Sequence, residues 1–331
     1  MKQFPAFRIY SDKENTKAEL EQLSIDELSD DDVLIHVKYS SVNYKDALAG
    51  TGEAQILRRS PLIGGIDLAG EVVESTNSNF IQGDLVLVNG SGLSESLNGG
   101  YAEFARVPGD LVIPLPKGLT LAQSMIIGTA GFTAALCVHL MESNNQQIED
   151  GPIVVTGASG GVGSFAINIL HKLGFETIAV SGKESAHDYL YELGASKVVG
   201  RGKIDIGDGV LEKTRWAGAI DNVGGKTLGA LIRATKPWGN VVSVGIAGGA
   251  KFEITPMPFI IRGVNLLGAS SSNCPQSLRK EIWNRLGDDL HPDQIAKIHS
   301  KTVKLEELPE TFKQLLNNEI QGRVLVEISH D

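Results

Sequence analysis

The sequence predicts an α/β protein in which a β-rich domain, folded as a partly open barrel, precedes a domain built on a doubly wound parallel sheet. Three observations predict this class. Up to about residue 122, short apolar or alternating runs are separated by Gly, Pro and Asp, as strands and turns are. After about residue 123, strand-like runs alternate with helix-like runs. A glycine-rich loop joins the first of those strands to the first of those helices.

Four runs in the first part are predicted strands. Residues 33–39 alternate between apolar and polar side chains, and apolar runs follow at residues 68–73, 85–88 and 111–114. Alternation with a period of two places one face of a strand in a core and the other in solvent. We assign residues 1–122 to this domain.

The second part begins with a predicted strand at residues 153–156 and an amphipathic helix. The helix has one apolar stripe at helical spacing, formed by Val162, Phe165, Ala166, Ile169, Leu170 and Leu173. Gly174 ends it. The alternation then continues with strands at 177–180, 197–200, 217–221 and 240–245 and helices at 185–193 and 227–235. Alternation of this kind predicts a parallel, doubly wound sheet, which we assign to residues 123–268.

The remaining segment, residues 269–331, is predicted to return to the first domain. It contains two helix-like stretches, at residues 277–290 and 305–317, and a closing strand at 323–328.

Composition excludes several classes of protein. With 30 Lys and Arg against 40 Asp and Glu, the net charge of −10 argues against nucleic acid or an anionic membrane surface as the main partner. The two cysteines, Cys137 and Cys274, are too few for a disulfide framework or a four-thiolate metal site. The N-terminus has no signal-peptide pattern, and the longest low-charge stretch, residues 125–138, is shorter than the roughly 20 residues of a membrane span. We therefore expect a cytoplasmic location.

The glycine-rich loop at residues 157–163 (GASGGVG) predicts a dinucleotide site. Residues without Cβ allow backbone N–H groups to approach a pyrophosphate at a helix N-terminus. The spacing departs from G-x-G-x-x-G because Ser159 takes the second glycine position. The alternative is a tight turn that only lets the helix and the sheet pack closely.

The end of the second strand favours NADPH over NADH. An NAD site has an acidic residue about 20 residues after the loop, but here the strand runs into Ser181, Gly182 and Lys183. A hydroxyl and an ammonium suit a 2′-phosphate, and Arg201 is a second candidate to bind it. Glu184 keeps NADH open, and an exposed loop lysine is the alternative interpretation of Lys183.

Several segments resemble the medium-chain dehydrogenase/reductase family. Beside the glycine loop they are GIDLAG at 65–70, GTAGFTA at 128–134, DNVG at 221–224 and GRV at 322–324. The resemblance implies a GroES-like domain and a Rossmann domain. Zinc-binding members carry a cysteine where this chain has Asn43 and a histidine where it has Ile66, and residues 89–100 lack the four cysteines of their structural lobe. The resemblance therefore implies no zinc.

Within the zinc-free, quinone-oxidoreductase-like branch, one subfamily is especially similar. The segments NYKDA at 43–47, MIIGTAGFTA at 125–134 and MPFI at 257–260 resemble those of the NADPH-dependent acrylyl-CoA reductases. The resemblance implies a homodimer. It also implies a set of cofactor contacts: Tyr44, Ser159, Gly160, Gly161, Val162, Ser181, Gly182, Lys183, Arg201, Ile246, Ser271 and Asn318. Core packing for Tyr44, sheet packing for Ile246 and a helix C-cap for Asn318 are the alternatives.

Chemistry without a metal favours conjugate reduction over alcohol–ketone exchange, because no Lewis acid polarises a carbonyl. A hydride to the β-carbon of an activated alkene leaves an enolate oxygen that needs hydrogen-bond donors. Asn43 and Tyr44 are the candidate donors, and Asp67 is the candidate to orient them or, alternatively, caps a turn. A CoA thioester is anionic, and Arg58 with Arg59 could bind its phosphates or form a solvated surface pair.

These inferences lead to one main expectation. The chain is expected to reduce the C=C bond of a small 2-enoyl-CoA thioester, acrylyl-CoA to propanoyl-CoA, with NADPH. The alternatives are a quinone or general enone oxidoreductase on the same scaffold and, in a different class, a non-catalytic NADPH-binding sensor.

Overall fold

A computed structural model of the chain describes residues 3–12, 15–204, 207 and 209–329. The chain forms two compact units. Unit 1 comprises Met1–Thr129, Ser272–Asp288 and His299–Asp331, and unit 2 comprises Ala130–Ser271 and Asp289–Ile298.

The tail differs from its prediction, because residues 289–298 belong to unit 2 instead of returning with the rest of residues 269–331. Polar contacts tie this stretch to a helix of unit 2. Lys172 Nζ donates to the His291 carbonyl over 2.9 Å, and Asn168 Oδ1 accepts from the backbone N–H of Gln294 over 3.2 Å. Pairing across more than one hundred residues leaves no local pattern in the sequence.

The N-terminal part of the chain is mostly strand. Its elements are β1 (Gln3–Ser11), β2 (Thr16–Ser24), β3 (Val33–Val42), α1 (Tyr44–Thr51), β4 (Leu62–Ile63), β5 (Asp67–Ser75), β6 (Leu85–Asn89), β7 (Phe104–Val107) and β8 (Ile113–Pro114). The four predicted strands correspond to β3, β5, β6 and β8. The hairpin of β1 and β2 and the helix α1 were not predicted.

The chain passes from unit 1 to unit 2 within α2 (Leu121–Ser143), which bends at Gly128 (φ 47°, ψ −155°). The helix is long and apolar enough to cross a membrane, so the expectation that this stretch is too short was wrong. However, 83% of its most apolar 18 residues are buried inside the protein, as in the core helix of a globular fold.

The central part alternates strands and helices as predicted. Its elements are β9 (Ile153–Thr156), α3 (Gly161–Lys172), β10 (Thr177–Val180), α4 (His187–Glu192), β11 (Lys197–Val199), β12 (Trp216–Asp221), α5 (Gly225–Ala234), β13 (Thr235–Ser243), α6 (Met257–Arg262) and β14 (Asn265–Gly268). The C-terminal elements are α7 (Gln276–Leu286), α8 (Ile295–Ile298), β15 (His299–Val303), α9 (Leu308–Leu316) and β16 (Arg323–Glu327).

Unit 1 contains two sheets. A three-stranded sheet has the order β2-β1-β4, and a seven-stranded sheet has the order β15-β16-β3-β5-β6-β8 with β7 on β3. The first and last parts of the chain meet here, since β16 pairs antiparallel with β3. This register brings Val324 beside Val42, two residues before α1 begins.

Unit 2 is built on a six-stranded parallel sheet of order β11-β10-β9-β12-β13-β14. From β9 the chain moves outward to β10 and β11 and then returns to β12 on the other side of β9. Such a switch point leaves a crevice at the carboxyl ends of the strands, where open α/β sheets bind ligands. The two-part α/β fold class predicted from the sequence is therefore confirmed.

Candidate active site

The glycine loop of unit 2 connects the carboxyl end of β9 to the N-terminus of α3. Gly157 has a left-handed conformation (φ 58°), and the Gly160 N–H donates to the Gly157 carbonyl over 3.0 Å. A Cβ on Gly163 would lie 2.5 Å from the Gly157 carbonyl oxygen, so only glycine allows helix and loop to approach this closely. Ser159 to Val162, the predicted pyrophosphate contacts, lie in this turn and at the start of α3.

Two cations lie together where β10 and β11 end. A Cβ on Gly182 would be 2.8 Å from Arg201 Nε, so the guanidinium lies against Gly182. Two effects lower the pKa of Lys183: the larger is burial, and the smaller is the positive charge of Arg201. Ser181 shapes the turn, because its Oγ accepts the Lys183 N–H over 3.1 Å. The structure thus brings together the four residues predicted to bind the adenosine phosphate.

Two neighbouring cations repel each other, so this arrangement suits an anion that bridges them. A ribose 2′-phosphate has the required charge and acceptor oxygens. The residues present therefore fit NADP(H), with the glycine loop suited to its pyrophosphate.

A buried carboxylate that was not predicted as a site residue holds the central strands in register. Asp221, at the end of β12, accepts the Thr156 hydroxyl over 2.6 Å and the Gly224 N–H over 2.8 Å. The Asn222 N–H in turn donates to Thr156 Oγ1 over 2.9 Å. Burial raises the pKa of Asp221. These bonds fix the loops after β9 and β12. The only signal for Asp221 in the sequence was its place in the DNVG segment that resembles the family.

The other predicted cofactor residues lie in different places. Ile246 is 68% exposed in the loop after β13, a position that is open to a ligand. Ser271 follows β14 in unit 2, whereas Asn318 follows α9 in unit 1. Asn318 has a left-handed backbone (φ 58°), as residues that end a helix often do. Cofactor roles for these three residues stay predictions, as do those of Tyr44, of the glycine loop and of the residues around the two cations.

Unit 1 contains a buried polar network centred on Asp67, the first residue of β5. The carboxylate of Asp67 is fully buried and accepts several hydrogen bonds. Its Oδ2 accepts from Ser41 Oγ at 2.6 Å, from Asn43 Nδ2 at 2.7 Å and from the Thr129 N–H at 2.9 Å, while Oδ1 accepts from Thr129 Oγ1 at 2.5 Å. Asp67 therefore connects β3, the start of α1 and the bend of α2.

Arg323, at the start of β16, completes the network. Its Nη2 lies 3.9 Å from Asp67 Oδ2, and its Nη1 donates to the Val42 carbonyl over 2.9 Å and to Asn43 Oδ1 over 3.1 Å. Its Nε donates to the Ile126 carbonyl over 3.0 Å. No role was predicted for Arg323, although it belongs to the matching segment at residues 322–324.

Gly128 leaves room for this network. A Cβ at this position would be 2.7 Å from Arg323 Nη2, 2.7 Å from Asp67 Oδ2 and 2.8 Å from Ser41 Oγ. A larger residue at this position would therefore displace the buried side chains, and the left-handed φ of 47° also favours glycine.

A second buried carboxylate, Asp46, fixes the N-terminal turn of α1. Its Oδ2 accepts the Asn43 N–H and its Oδ1 accepts the Ile66 N–H, both over 2.9 Å. These are the two positions at which zinc-binding members, by the resemblance above, carry a cysteine and a histidine. Asp46 therefore links through hydrogen bonds the segments that a metal links in those members.

The network also decides which side chains are available to a substrate. Asn43 is 7% exposed, and its amide is engaged by Asp67 and Arg323. Tyr44, the first residue of α1, is 54% exposed. These contacts favour a positioning role for Asn43 and Asp67 over direct contact with substrate, whereas Tyr44 is the candidate for direct contact. The alternative that Tyr44 is a core aromatic is wrong, since its side chain is exposed.

We expect the stability of the protein to depend on the protonation of Asp46. Two effects raise the pKa of Asp46 to about 7: the larger is burial, and the smaller is the negative charge of Asp67. Arg323 and Tyr101 are the other titratable groups that face this pair. Because the folded chain holds this proton more tightly than the unfolded chain, its stabilising effect is present at acidic pH and is lost as pH rises through 7.

The Tm of wild-type protein is therefore expected to fall by a few degrees relative to that of Asp46→Asn between pH 5 and pH 8, measured by thermal unfolding. Asp221, whose pKa is also raised, is the same in both proteins and cancels in the difference. A Tm difference that stays constant over this range would contradict the assignment.

Metal ligation finds little support in the part of the chain that the structure describes. There, no group of three or more His, Cys, Asp or Glu side chains is arranged to hold a metal ion. Cys137 and Cys274 are both buried, and burial raises the pKa of each thiol. Independence from zinc stays a prediction.

The two-part fold, the glycine loop with its neighbouring cations and the buried network around Asp67 together define a class of protein. This class is the alcohol dehydrogenase-like oxidoreductases. Residues 29–117 match the alcohol dehydrogenase GroES-like domain, and residues 161–286 match the zinc-binding dehydrogenase domain. The chain belongs to the medium-chain dehydrogenase/reductase family and is an oxidoreductase.

Full-length relatives give the comparison more detail. The chain is 44% identical to YhfP of Bacillus subtilis, whose name places it among quinone oxidoreductases, over 98% of this chain and 99% of YhfP. It is 41% identical to the acrylyl-CoA reductase AcuI of Ruegeria pomeroyi, over 98% of this chain and 99% of AcuI.

Solved structures agree with these relatives. The yhdH oxidoreductase of Salmonella enterica in complex with NADP has a TM-score of 0.94 and 44% identity, over 98% of this chain and all of that one. The structure of B. subtilis yhfP with NAD bound has a TM-score of 0.96 and covers 99% of this chain and all of that one.

Proposed function

We propose that this chain is a cytoplasmic, NADPH-dependent reductase of small 2-enoyl-CoA thioesters that converts acrylyl-CoA to propanoyl-CoA without a metal. The observation that carries the cofactor assignment is the pair of cations, Lys183 and Arg201, beside Gly182. The bound NADP of the Salmonella relative supports it, whereas the bound NAD of yhfP keeps the choice of nucleotide testable. The name of the relative AcuI supports the substrate.

The reaction needs a bound nicotinamide, which supplies a hydride to the β-carbon of the alkene. Electron density then moves to the thioester oxygen. In this proposal, the exposed phenol of Tyr44 donates a hydrogen bond to that oxygen, and a proton from water or a side chain completes the α-carbon. The reaction consumes NADPH, one proton and the enoyl thioester, and it yields NADP⁺ and the saturated thioester.

Metal-free action is supported by the residues at the two positions that bind zinc in other members. Asn43 is engaged by Asp67 and Arg323, Ile66 has no ligating atom, and Asp46 binds both backbone N–H groups. Here the network holds the start of α1, and through it Tyr44, in place. Metal analysis of the purified protein is expected to find no zinc, and one zinc ion per chain would overturn this part of the proposal.

A panel of acceptors at a fixed NADPH concentration tests the function. We expect acrylyl-CoA to cause the loss of nicotinamide absorbance, with slower turnover of quinones. Turnover of quinones or simple enones without any of acrylyl-CoA would favour the alternative oxidoreductase. Binding of NADPH without turnover of any acceptor would favour a sensor.

A homodimer is the proposed assembly, formed at the β14 edge of the unit 2 sheet. In the described part of the chain β14 pairs on one side with β13, and its Leu266 is 39% exposed. Three further exposed apolar side chains belong to the same part of unit 2: Trp238 (78% exposed), Ile260 (70%) and Ile261 (61%). An exposed strand edge beside apolar side chains suits pairing with a second copy about a two-fold axis.

We expect Ile260→Lys to convert the dimer to a monomer in light scattering after gel filtration, because a charge replaces an apolar contact. Ile81→Lys is the matched control, since Ile81 is 71% exposed in unit 1 and should leave the dimer intact. A wild-type monomer would overturn the proposed assembly. So would dissociation by both variants, which would show that any added charge has this effect.

A further inference from the structure

A depression in the surface of unit 1 is lined in part by Lys45, the residue that follows Tyr44. It has a volume of about 400 Å³. The residues that line it are Lys45, Gln55, Ile56, Leu57, Arg58 and Glu95. Pockets of this size hold small organic groups, and this one combines charged side chains with the partly buried Ile56 and the buried Leu57.

The charges of the depression are held in place by one carboxylate. Glu95 forms an ion pair with Lys45 Nζ, and its Oε2 lies 3.7 Å from Arg58 Nη2. The backbone N–H of Arg58 also donates to the Glu95 carbonyl over 2.7 Å. Lys45 Nζ has a further contact, with Ser272 Oγ at 3.4 Å. Two cations and one carboxylate leave a local positive charge in a chain whose net charge is −10.

Arg58 is the residue best placed to bind a ligand from solution. Its side chain is 75% exposed, whereas Glu95 is 14% exposed. A guanidinium has five N–H donors, and a single ion pair at 3.7 Å leaves donors for the oxygens of a phosphate. Such an exposed pair contributes little stability by itself. A purely structural role therefore gives a weak account of Arg58.

We infer that the depression lined by Lys45, Arg58 and Glu95 is the subsite for the phosphate-bearing tail of a coenzyme A thioester. The inference rests on the proposed function for its substrate class, and it adds the residues that distinguish a CoA ester from a simple enone. Lys45 follows Tyr44 in α1, and successive residues of a helix point about 100° apart. The cations are therefore near the candidate group for the acyl end without sharing its face, as a substrate whose pantetheine arm separates thioester from phosphates requires.

The test compares two substrates that carry the same acyl group. Acrylyl-CoA has the phosphates, whereas the acrylyl thioester of N-acetylcysteamine has the same reacting end without them. For Arg58→Glu we expect the KM for acrylyl-CoA to rise about tenfold or more, because a charge-assisted contact becomes a repulsion. The KM for the truncated thioester and the KM for NADPH should stay unchanged.

Lys117→Glu is the matched control. Lys117 is also exposed in unit 1, and its substitution changes the net charge by the same amount, but Lys117 does not line the depression. Arg59 does not line it either, but Arg59 was predicted to bind the phosphates with Arg58 and therefore cannot serve as the control. A similar rise in KM for both variants would show a general electrostatic effect and would overturn the subsite. An equal rise for both substrates in Arg58→Glu would overturn it as well, since the phosphates would then be irrelevant.

Direct binding separates this inference from the proposed function. Titration calorimetry with free coenzyme A, in the presence of NADP⁺, needs no turnover. Binding by wild type that is lost in Arg58→Glu and retained in Lys117→Glu would support the subsite even if acrylyl-CoA is not reduced. No binding of coenzyme A to wild type would overturn it, whatever the acceptor panel finds.

Discussion

Lys183→Glu is expected to raise the KM for NADPH by roughly 100-fold while changing the KM for NADH little, because a charge-assisted contact to the 2′-phosphate is replaced by a repulsion. Lys183 and Arg201 lie close enough that their charges interact, with Arg201 against Gly182. NADH has a hydroxyl at this position and should not respond. Steady-state kinetics with each nucleotide, at a saturating acceptor concentration, measures the effect.

The control for this substitution is Lys203→Glu. Lys203 is exposed and lies with Arg201 in a single turn of 3-10 helix, Arg201–Lys203. Its substitution reverses the same charge, but Lys203 was not assigned to the phosphate site. Equal losses with NADPH and NADH in Lys183→Glu would show that Lys183 does not recognise the phosphate. Equal losses with NADPH in both variants would indicate a long-range field in place of a contact.

Replacement of Arg323 by methionine is expected to destabilise the protein by about 3–5 kcal/mol, because it leaves buried carboxylates without their counter-charge. Arg323 is 4% exposed, and Asp67 and Asp46 are 0% and 1% exposed. The substitution also removes the donors to the Val42 and Ile126 carbonyls and to Asn43 Oδ1. Thermal unfolding measures the loss of stability.

The same network should affect catalysis more than cofactor binding. Arg323→Lys keeps the charge but cannot reach all three acceptors, so we expect kcat to fall about tenfold or more as the start of α1 loses its anchors. The KM for NADPH should stay close to wild type, since the candidate phosphate-binding groups belong to unit 2. A fall in stability with kcat unchanged would limit the network to a structural role.

A double variant keeps this prediction testable if Arg323→Met alone does not fold. Asp67→Asn removes the charge that Arg323 compensates, so the double variant should fold where Arg323→Met does not. Where Arg323→Met does fold, the double variant should be more stable than the sum of the two single losses implies. Strictly additive losses would show that Asp67 and Arg323 do not act as a pair.

Much of the unit 2 fold follows from local patterns. The apolar stripe from Val162 to Leu173 predicted α3 and Gly174 its end, because a helix buries one face and a left-handed glycine (φ 89°) terminates it. The candidate cofactor residues after β9 and β10 could be named because strand ends in a parallel sheet meet at one edge. Ile246, Ser271 and Asn318 could be named from the resemblance alone.

The buried network could not be predicted in the same way. Asn43 and Arg323 are 280 residues apart in the chain, and no periodicity connects them. Asp67 looked like a possible turn cap because its partners come from β3, α1 and α2, each a separate segment. The helix α1 was missed because it is short, and the hairpin of β1 and β2 because polar residues dominate its second strand.

The central claim is that a hydride passes from NADPH to the β-carbon of an enoyl thioester in this protein. Incubation of acrylyl-CoA with NADPH deuterated at C4, separately on each face, and analysis of the product by NMR tests it most directly. We predict propanoyl-CoA with deuterium at C3 from one of the two labelled cofactors, and with hydrogen from solvent at C2. Deuterium at any other carbon, or no propanoyl-CoA from a preparation that oxidises NADPH with quinones, would contradict the account.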